Sequence, residues 1–437
     1  MINIDFVKIT GPIKPMHSVN NGPVVTKTDQ SRGNEKYWAE AGIPYVRNHD
    51  ASFSSEYGGP HIVDVHVIFP DFDADVNDPD SYDFLLTDIY TESILKYGSR
   101  VFYRLGSRIE HEPRKYGTLP PKDYVKWAEI CEHIILHYNE GWANGYRCNI
   151  EYWEIWNEPD LDAENANNKR NWGGTDAEFY RFYRTAALYL KKKFPNLKIG
   201  GPALAFNYWG WLDGFMQVMT SGERVPIDFF SWHKYAHEVH ELTDMAVNIR
   251  KKLDAYGYRE TKSILNEWNY ISDWSSGFID SIRTIISMKG AAFQAACMLA
   301  SQQCDSIDML MYYDARPSIF NGLFDYYTQQ PLKGYYSIKM FNMLYRLGNS
   351  CYAVSDDPEI FVSAASGENG ASAVMVAYYT DSDNAVSKSI KFRLKNGKSK
   401  YKIYRLDENR NCEFSGTVPA DGTVDLEPCT VVLLESV

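Results

Sequence analysis

Short apolar runs alternate with longer amphipathic stretches along most of the chain, from near residue 12 to near residue 347. Runs rich in β-branched and aromatic residues predict strands, whereas apolar residues at helical spacing predict helices. Helices are expected over stretches such as 120–141, 176–194 and 278–304. Eight runs predict strands, at 14–20, 44–50, 100–106, 150–158, 198–204, 228–235, 263–270 and 308–314.

Eight strand–helix repeats favour a closed parallel barrel over an open sheet, so the expected fold class is α/β, a (β/α)8 TIM barrel. After residue 348 the runs become short and alternating, with turn signals at Asn396-Gly397 and Asp421-Gly422. Such spacing is typical of an antiparallel β-sandwich. Three units are expected: an N-terminal strand that joins the sandwich (1–11), the barrel (12–348) and a C-terminal β-sandwich domain (349–437).

The composition narrows the classes of ligand. The 437 residues are 44% hydrophobic and 23% charged, which is ordinary for a globular protein with a large core. A net charge of −12 gives a polyphosphate no attractive long-range field, so no nucleic-acid partner is expected. Aromatic residues make up 15% of the chain, and their flat faces suit sugar rings as well as protein cores.

The cysteines and the apolar runs bear on location. Seven cysteines are scattered along the chain without a CxxC pair, so reduced thiols are expected. No apolar run reaches the roughly 18 residues of a membrane span, and residues 2–10 lack the basic start and apolar stretch of a secretion signal. A cytoplasmic protein without a membrane partner is therefore expected, unless a leader precedes this sequence. A homo-oligomer stays open.

Two of the predicted strands end in Asn-Glu. The fourth run ends in WNEP (156–159) and the seventh in LNEW (265–268), which places Glu158 and Glu267 where loops begin. Reactive groups of barrel enzymes lie at these C-terminal strand ends, and strands four and seven face each other across the mouth. Two carboxylates about 5–5.5 Å apart suit retaining glycoside hydrolysis, in which one attacks the anomeric carbon and the other protonates the departing oxygen. Mutual repulsion must then raise the pKa of one of them.

The residues around both glutamates resemble a known family. The segment YWEIWNEPD (152–160) resembles the acid/base strand of clan A glycoside hydrolases. The segments VNNGP (19–23), YVRNH (45–49), DFFSWHKY (228–235) and ILNEWN (264–269) are similar to glycoside hydrolase family 39, which contains β-xylosidases and α-L-iduronidases. The resemblance covers the barrel and extends in outline to the terminal sandwich.

The resemblance implies roles for individual residues. Glu158 is implied as the general acid/base and Glu267 as the nucleophile. Asn157 is implied to bind the sugar 2-hydroxyl, and Arg47 to hold Glu267 ionised. Contacts with the substrate or the carboxylates are expected for a further set: His49, His233, Tyr235, Tyr313, Trp268 and Arg316.

The implied activity is that of a retaining exo-glycosidase, with a β-xyloside favoured. Family members commonly carry Tyr-Trp on strand eight, whereas this chain has Tyr312-Tyr313 followed by Asp314-Ala315-Arg316-Pro317, and segment 51–83 also departs from the xylosidase version. The sugar therefore stays open among a β-xyloside, an α-L-arabinoside, a β-galactoside and a uronide, whose carboxylate Arg316 could bind as a planar fork. Segments 51–83 and 107–119 could wall the mouth, which favours a pocket.

No metal or cofactor is expected. His133 and His137, and the histidines within 233–240, lack partners at a recognised zinc spacing. The acid-rich segment 71–80 starts like a calcium loop but lacks the glycine of the sharp turn.

Two further sets of side chains have structural interpretations. Glu154 shares strand parity with Glu158 but lies deeper, so we expect a structural carboxylate paired with an arginine such as Arg104. Some tryptophans are candidates for stacking on sugar or for core packing, and about two are expected to line the pocket. They are Trp172, Trp209, Trp211, Trp268 and Trp274.

Two rival classes stay open. A catalytically silent carbohydrate-binding protein on the same barrel would need a broken carboxylate pair, and this chain retains both glutamates. A structural or adhesion protein would use an exposed face of the sandwich, so deletion of residues 349–437 would abolish its function. The enzyme interpretation predicts instability or poor assembly from that deletion instead.

Overall fold

The computed structural model describes residues 1–24, 33–50, 52–54, 58–206 and 208–437. Its strands are β1 (Ile2–Pro12), β2 (Ser18–Asn20), β3 (Tyr45–Arg47), β4 (Ser52–Ser54), β5 (Gly58–His61), β6 (Arg100–Leu105), β7 (Tyr152–Ile155), β8 (Lys198–Leu204), β9 (Phe229–Ala236), β10 (Lys262–Tyr270), β11 (Met309–Tyr312), β12 (Asn349–Ser355), β13 (Ile360–Ser366), β14 (Ser372–Tyr378), β15 (Lys388–Lys395), β16 (Lys400–Leu406), β17 (Asn411–Pro419), β18 (Thr423–Leu426) and β19 (Val431–Ser436).

The α-helices of these ranges are α1 (Glu35–Ala41), α2 (Val65–Ile68), α3 (Leu85–Lys96), α4 (Tyr124–Asn139), α5 (Asp176–Lys193), α6 (Trp209–Thr220), α7 (His240–Ala255), α8 (Phe278–Ile285), α9 (Met288–Gln303) and α10 (Lys333–Tyr345). Two short 3-10 helices lie at Pro79–Ser81 and Trp142–Asn144. No helix in the described ranges is long and apolar enough to cross a membrane.

Eight parallel strands close into a barrel, in the order β10-β11-β2-β3-β6-β7-β8-β9. Each predicted run overlaps one of them, so the TIM-barrel prediction is confirmed. Barrel strands are covered on both faces, which explains their nearly continuous apolar sequences, and β7 and β11 are buried at every position. A cluster of side chains from facing strands fills the barrel interior, including Phe102, Tyr152 and Phe229.

Local signals set the helix ends. α5 begins at a capping box, in which the Thr175 hydroxyl and the Glu178 side chain bond each other's backbone N–H groups. The predicted helix over 278–304 is two helices, α8 and α9. The Ser287 side chain accepts from the Gly290 backbone N–H and caps a new helix there, so the apolar periodicity continues while the helix axis breaks.

The remaining long strands form a nine-stranded sheet in the order β17-β16-β19-β14-β13-β12-β1-β15-β18. β1 pairs antiparallel with β12 and parallel with β15, so the N-terminal strand lies within this sheet. The parallel pair departs from the purely antiparallel expectation, because no hairpin dictates the direction of a strand from the other end of the chain. One hydrophobic cluster includes both Val418 of β17 and Leu426 of β18, so the sheet curls around its own core.

The nine-stranded sheet packs on the side of the barrel that carries α9 and α10. Met375 and Leu433, on two of its central strands, belong to the hydrophobic core of the barrel. Lys289 Nζ at the start of α9 lies 2.9 Å from Asp381 Oδ1, and the Tyr270 hydroxyl at the end of β10 donates to Asp381 Oδ1 over 2.7 Å. The sheet therefore braces the end of the barrel strand that carries Glu267.

The buried carboxylate Glu154 is held by Arg47 and not by Arg104. Arg47 Nε donates to Glu154 Oε2 over 2.7 Å, and the Ser231 hydroxyl donates to Oε1 over 2.6 Å. Side chains of one barrel layer come from alternate strands, so Glu154 of β7 meets groups from β3 and β9. Arg104 lies on the adjacent strand β6 and instead donates to Asp64 Oδ1 over 2.5 Å. The predicted Arg104 partner is therefore wrong.

Candidate active site

Glu158 and Glu267 lie together at the C-terminal mouth of the barrel. One carboxylate oxygen of each and one ring nitrogen of His233 lie within 4.8 Å of one another. Both glutamates are only 6% exposed. The two chain segments predicted from their Asn-Glu endings thus meet at one buried site.

The backbone after β7 is shaped to present Glu158. Trp156 and Glu158 adopt positive φ angles of 77° and 44°, which are costly for residues with a side chain. The Trp156 indole N–H donates to the Asn171 carbonyl over 2.7 Å, and the Glu158 backbone N–H donates to the Ala203 carbonyl over 2.9 Å. These anchors hold the strained turn, and the Glu158 side chain points into the mouth.

A local irregularity of β10 presents Glu267. The register of β10 with β9 shifts between Leu265 and Glu267, and its register with β11 shifts between Leu265 and Trp268. Such a bulge lets a strand re-aim one side chain without ending the pairing.

Three groups contact the Glu267 carboxylate. The Tyr235 hydroxyl donates to Oε1 over 2.7 Å, and Arg47 Nη1 lies 3.4 Å from Oε2. His233 Nδ1 lies 3.7 Å from Oε2. Burial raises the pKa of Glu267 to about 7, the neighbouring Glu158 raises it as well, and the three contacting groups lower it.

Glu158 has fewer partners. His233 Nδ1 and Glu158 Oε1 are 2.8 Å apart, and the Asn171 amide donates to Oε2 over 3.2 Å. Burial raises the pKa of Glu158 to about 7, against the lowering effect of Arg47. Burial lowers the pKa of His233 to about 4, so its imidazole is neutral at pH 7. Asn171 comes from the loop after β7, where no sequence pattern marks it.

Arg47 links the carboxylates to Asn157. Besides Glu154 and Glu267, it donates through Nη2 to Asn157 Oδ1 over 2.7 Å. Asn157 is fully buried, and its side-chain Nδ2 has no hydrogen-bond partner among the described residues. A buried amide donor left in this way suits a hydroxyl group of a ligand.

The segment that follows β11 belongs to a cluster of charged residues that the sequence did not predict. Asp50 accepts from the Tyr313 hydroxyl over 2.6 Å, and its Oδ1 lies 3.4 Å from His49 Nε2. Arg316 Nη1 donates to the Asp50 carbonyl over 2.6 Å, and Nη2 lies 3.6 Å from Asp314 Oδ2. The guanidinium is therefore already engaged, which removes the open fork expected for a uronate. His49 is buried behind the cluster, whereas Tyr313 faces the cavity.

The cavity at the mouth has a volume of about 620 Å³. Its lining combines the carboxylate pair with aromatic, aliphatic and cationic side chains: Ile109, His111, Glu158, Leu161, Arg170, Ala205, Phe206, His233, Lys234, Tyr235, Met245, Glu267, Trp274, Tyr313 and Phe320. Segment 107–119 contributes Ile109 and His111 to this wall, as expected of it. Residues 51 and 55–57 of segment 51–83 lie outside the described residues, and residues 61–83 are absent from this lining.

The tryptophan candidates separate into core and cavity. Trp268 is fully buried, with its ring 5.5 Å from that of Tyr312 and 6.3 Å from that of Phe293 on α9. It cannot reach the cavity, so its expected substrate contact is wrong. The reason is the alternation of β10, which turns Glu267 inward and the next side chain outward. Trp172 and Trp211 are also buried in the core.

Trp274 lines the cavity and is 59% exposed. Trp209 is 39% exposed and packs on Phe206, a lining residue, at 4.9 Å between ring centroids. Trp274 thus faces the cavity, and Trp209 packs against a residue that lines it.

Asp160 positions the opposite wall. Its carboxylate accepts the backbone N–H groups of Ala205 over 2.9 Å and Phe206 over 2.8 Å. Both residues line the cavity, so the acidic residue that follows Pro159 ties the loop after β8 to the strand that carries Glu158.

Glu158, Glu267 and His233 also form the group with metal-ligand spacing found among the described residues. The Arg47 guanidinium, 3.4 Å from Glu267, places a permanent positive charge beside them, which opposes a cation. A proton shared between two unequal carboxylates fits this arrangement better than a metal. The histidines of α4 have other partners, since His137 bonds the Trp142 carbonyl and Asp88.

The protein is a closed parallel barrel with two buried carboxylates at its mouth. This combination is typical of the clan A glycosidases. Residues 29–270, more than half of the chain, match the family described as "Glycosyl hydrolases family 39". The chain belongs to this family, and the matched part includes both Glu158 and Glu267.

Two curated relatives and one solved structure illustrate the similarity. The chain is 28% identical over 186 residues to a beta-xylosidase of Caldicellulosiruptor saccharolyticus, an alignment that covers 40% of this chain and 34% of the relative. It is 27% identical over 206 residues to a beta-xylosidase of Geobacillus stearothermophilus, covering 44% of this chain and 36% of the relative. The chain thus spans about a third of the length of these relatives.

The structure superimposes on a glucosidase from Croceicoccus marinus with a TM-score of 0.79 and 21% sequence identity, covering 99% of this chain and 98% of the other. Identity at this level shows the shared fold alone.

Proposed function

We propose that the protein is a retaining exo-glycosidase that removes a terminal sugar from a glycoside or an oligosaccharide. The observation that carries this proposal is the pair of buried carboxylates, whose oxygens approach within 4.8 Å of each other and whose partners differ. This spacing fits the short separation of about 5–5.5 Å in retaining enzymes, whereas inverting enzymes need about 6.5–9.5 Å to admit a water molecule.

Glu267 is the nucleophile in this proposal. Two like charges so close do not both ionise, so the pair holds one proton near neutral pH. The Tyr235 hydroxyl and the Arg47 guanidinium both act on Glu267, and therefore the negative charge resides there. The anionic oxygen attacks the anomeric carbon, the bond to the leaving oxygen breaks, and a glycosyl ester forms on Glu267.

Glu158 supplies and then recovers the proton. In the resting pair the proton resides on Glu158, because the hydroxyl of Tyr235 and the guanidinium of Arg47 stabilise the anion of Glu267 and do not contact Glu158. Glu158 can therefore protonate the leaving oxygen as the glycosidic bond breaks. Its carboxylate then deprotonates a water molecule that attacks the glycosyl ester and releases the sugar with retained configuration. The Asn171 amide and His233 fix the orientation of Glu158 during both steps. The unpaired Asn157 Nδ2 is a donor for the sugar 2-hydroxyl.

A β-xyloside is the proposed substrate class, because two relatives in the family bear the name beta-xylosidase. An α-L-arabinoside and a β-galactoside are the first alternatives to test. A uronide is less well supported, since Arg316 is engaged by Asp50 and Asp314. Exo action is supported by the cavity, which is bounded at its inner end by Glu158, Glu267 and Tyr313. Aryl glycosides with one leaving group and varied sugars will identify the preferred sugar.

Covalent trapping tests the assignment. Incubation with a dinitrophenyl 2-deoxy-2-fluoro-glycoside of the preferred sugar should inactivate the enzyme and add one fluoroglycosyl group to the peptide that contains Glu267. Glu260→Gln, at an exposed glutamate in the turn that precedes β10, is the matched control and should be labelled as the wild type is. A label on any other residue, or inactivation without a covalent adduct, would contradict the nucleophile assignment.

The proposal extends to location and assembly. All seven cysteines are free, and three of them, Cys131, Cys297 and Cys351, are buried, which suits a reducing compartment such as the cytoplasm. A homo-oligomer is proposed on the family resemblance alone. Cell fractionation combined with thiol alkylation tests the cytoplasmic location. Light scattering at working concentration tests the homo-oligomer.

A further inference from the structure

The outer part of the cavity differs in chemistry from its inner end. The inner end is polar, with the two glutamates, His233 and the hydroxyls of Tyr235 and Tyr313. Farther out, the lining is dominated by apolar side chains: Ile109, Leu161, Phe206, Met245, Trp274 and Phe320. In an exo-acting pocket the sugar fills the inner end, so this outer part faces the leaving group.

The cationic groups of the outer lining are neutralised by neighbouring carboxylates. Arg170 grips Asp162 with two nitrogens, Nε at 3.0 Å and Nη2 at 2.6 Å from Oδ1. Lys234 Nζ lies 2.7 Å from Glu241 Oε2. His111 adds an exposed imidazole. The outer cavity therefore offers a second sugar few polar groups that are not already paired, whereas each sugar hydroxyl that loses water needs a hydrogen-bond partner.

Aromatic rings continue from the inner end to the surface. The Tyr235 ring lies 5.0 Å from the Trp274 ring, and the Phe320 ring lies 5.6 Å from the Tyr313 ring. Trp274 and Phe320 in turn pack on Phe278 of α8, at 5.8 Å and 6.0 Å. The rim of this wall is open, because Trp274 is 59% exposed and Ile319, next to Phe320, is 58% exposed.

A contiguous apolar rim on a substrate cavity marks a surface that a ligand covers. Covering it with apolar atoms is favourable in proportion to the area removed from water, whereas covering it with a hydrated sugar recovers only the ring face. The ion pairs of Arg170 and Lys234 also favour an apolar ligand, because neither cation needs a ligand to compensate its charge.

We propose that the natural leaving group is an apolar alcohol, such as a long-chain alkyl, aryl or polycyclic aglycone, and not a second sugar. This inference rests on the proposed glycosidase function and names the class of compound on the other side of the scissile bond. The chemistry is unchanged: Glu158 protonates the aglycone oxygen, the C–O bond breaks, and the free alcohol leaves through the aromatic rim.

A series of n-alkyl glycosides of the preferred sugar tests the inference. Methyl, butyl, hexyl and octyl glycosides, used below their critical micelle concentrations, have leaving alcohols of nearly equal basicity, so differences in kcat/KM report contacts of the chain. Each methylene that becomes fully buried should raise kcat/KM roughly fourfold. With partial burial of the longer chains, a rise on the order of 100-fold from methyl to octyl is expected. A flat series would overturn the inference.

Two variants assign the effect to the outer cavity. Trp274→Ala and the nearly isosteric Met245→Gln should each reduce the rise from methyl to octyl severalfold. Phe414→Ala is the matched control, because Phe414 is likewise 59% exposed but lies on β17 in the nine-stranded sheet, and it should keep the wild-type slope. If the increase in kcat/KM with chain length is the same in Trp274→Ala and Met245→Gln as in the wild type, the assignment to the outer cavity is wrong. Unchanged thermal transitions establish that the variants are folded.

The outcomes separate this inference from the proposed function. If aryl glycosides of every sugar tested are inert, the glycosidase proposal fails. If aryl glycosides are cleaved but a disaccharide is the better substrate and Trp274→Ala lowers its kcat/KM more than that of the octyl glycoside, Trp274 stacks on a sugar and only the present inference fails.

Discussion

Replacing Tyr235 with phenylalanine removes one hydroxyl group and keeps the ring that packs against Trp274 and Phe320. The hydroxyl donates to Glu267 Oε1 over 2.7 Å in a buried site, and it lowers the pKa of that carboxyl. Without the donor the anionic form of Glu267 is less stable relative to the protonated form. The pKa of Glu267 must therefore rise in the variant.

The size of this rise follows from the bond that is lost. A hydrogen bond to a charged group contributes about 1.5–3 kcal/mol, and one pKa unit corresponds to about 1.36 kcal/mol. The pKa of Glu267 should increase by roughly one to two units. Glu267 attacks only as the anion, so activity is lost as pH falls through this pKa. The acid limb of the kcat/KM profile must consequently move to higher pH in Tyr235→Phe, while the alkaline limb, which follows the Glu158 proton, moves less.

The assay is a kcat/KM profile over pH with an activated aryl glycoside. Tyr404→Phe is the matched control, since the Tyr404 hydroxyl also donates to a glutamate, Glu435, over 3.2 Å but lies in the nine-stranded sheet. The control should reproduce the wild-type profile. An acid limb that stays in place in Tyr235→Phe, or moves to lower pH, would refute the assignment of the charge to Glu267.

Three further predictions concern the acid, the core and the absence of a required metal. Glu158→Ala should slow glycosides of poor leaving groups by roughly 100- to 10,000-fold while activated aryl glycosides lose far less in the glycosylation step, and equal losses on both would exclude the acid role. Trp268→Ala should destabilise the fold by about 3–5 kcal/mol in denaturant unfolding because it empties a core site, whereas the exposed Trp274→Ala should change stability by about 1 kcal/mol or less. Prolonged EDTA treatment should leave kcat/KM unchanged, and inactivation that one added metal ion reverses would show that Glu158, His233 and Glu267 bind a cation.

The barrel was predictable because each of its strands is buried on both faces and therefore has a short, nearly continuous apolar sequence. Glu158 and Glu267 were predictable for a related reason, since both end such runs and the ends of parallel strands meet at one rim. The Trp268 error has the same origin. Strand parity places neighbouring residues on opposite faces, so an inward-facing Glu267 predicts an outward-facing Trp268, which packs against Phe293 of α9.

Residues on long loops could not be placed in this way. Asn171, which bonds Glu158, and Asp50, which engages Arg316 and Tyr313, lie beyond the ends of strands, where periodicity carries no information. The partner of Glu154 was missed because contacts inside a barrel skip a strand, so the nearest arginine in the sheet is not the nearest in space. Such pairings depend on barrel closure, which is a property of all eight strands together.

Azide rescue tests the central claim most directly. In Glu267→Ala, azide should enter the space left by the nucleophile and attack the sugar from that side, restoring turnover and giving a glycosyl azide of inverted configuration. In Glu158→Ala, azide should intercept the glycosyl ester on Glu267 and give a product of retained configuration. Proton NMR of the anomeric centre distinguishes the two products. The account predicts opposite anomers from the two variants; the same anomer from both, or undiminished turnover in Glu267→Ala without azide, would contradict it.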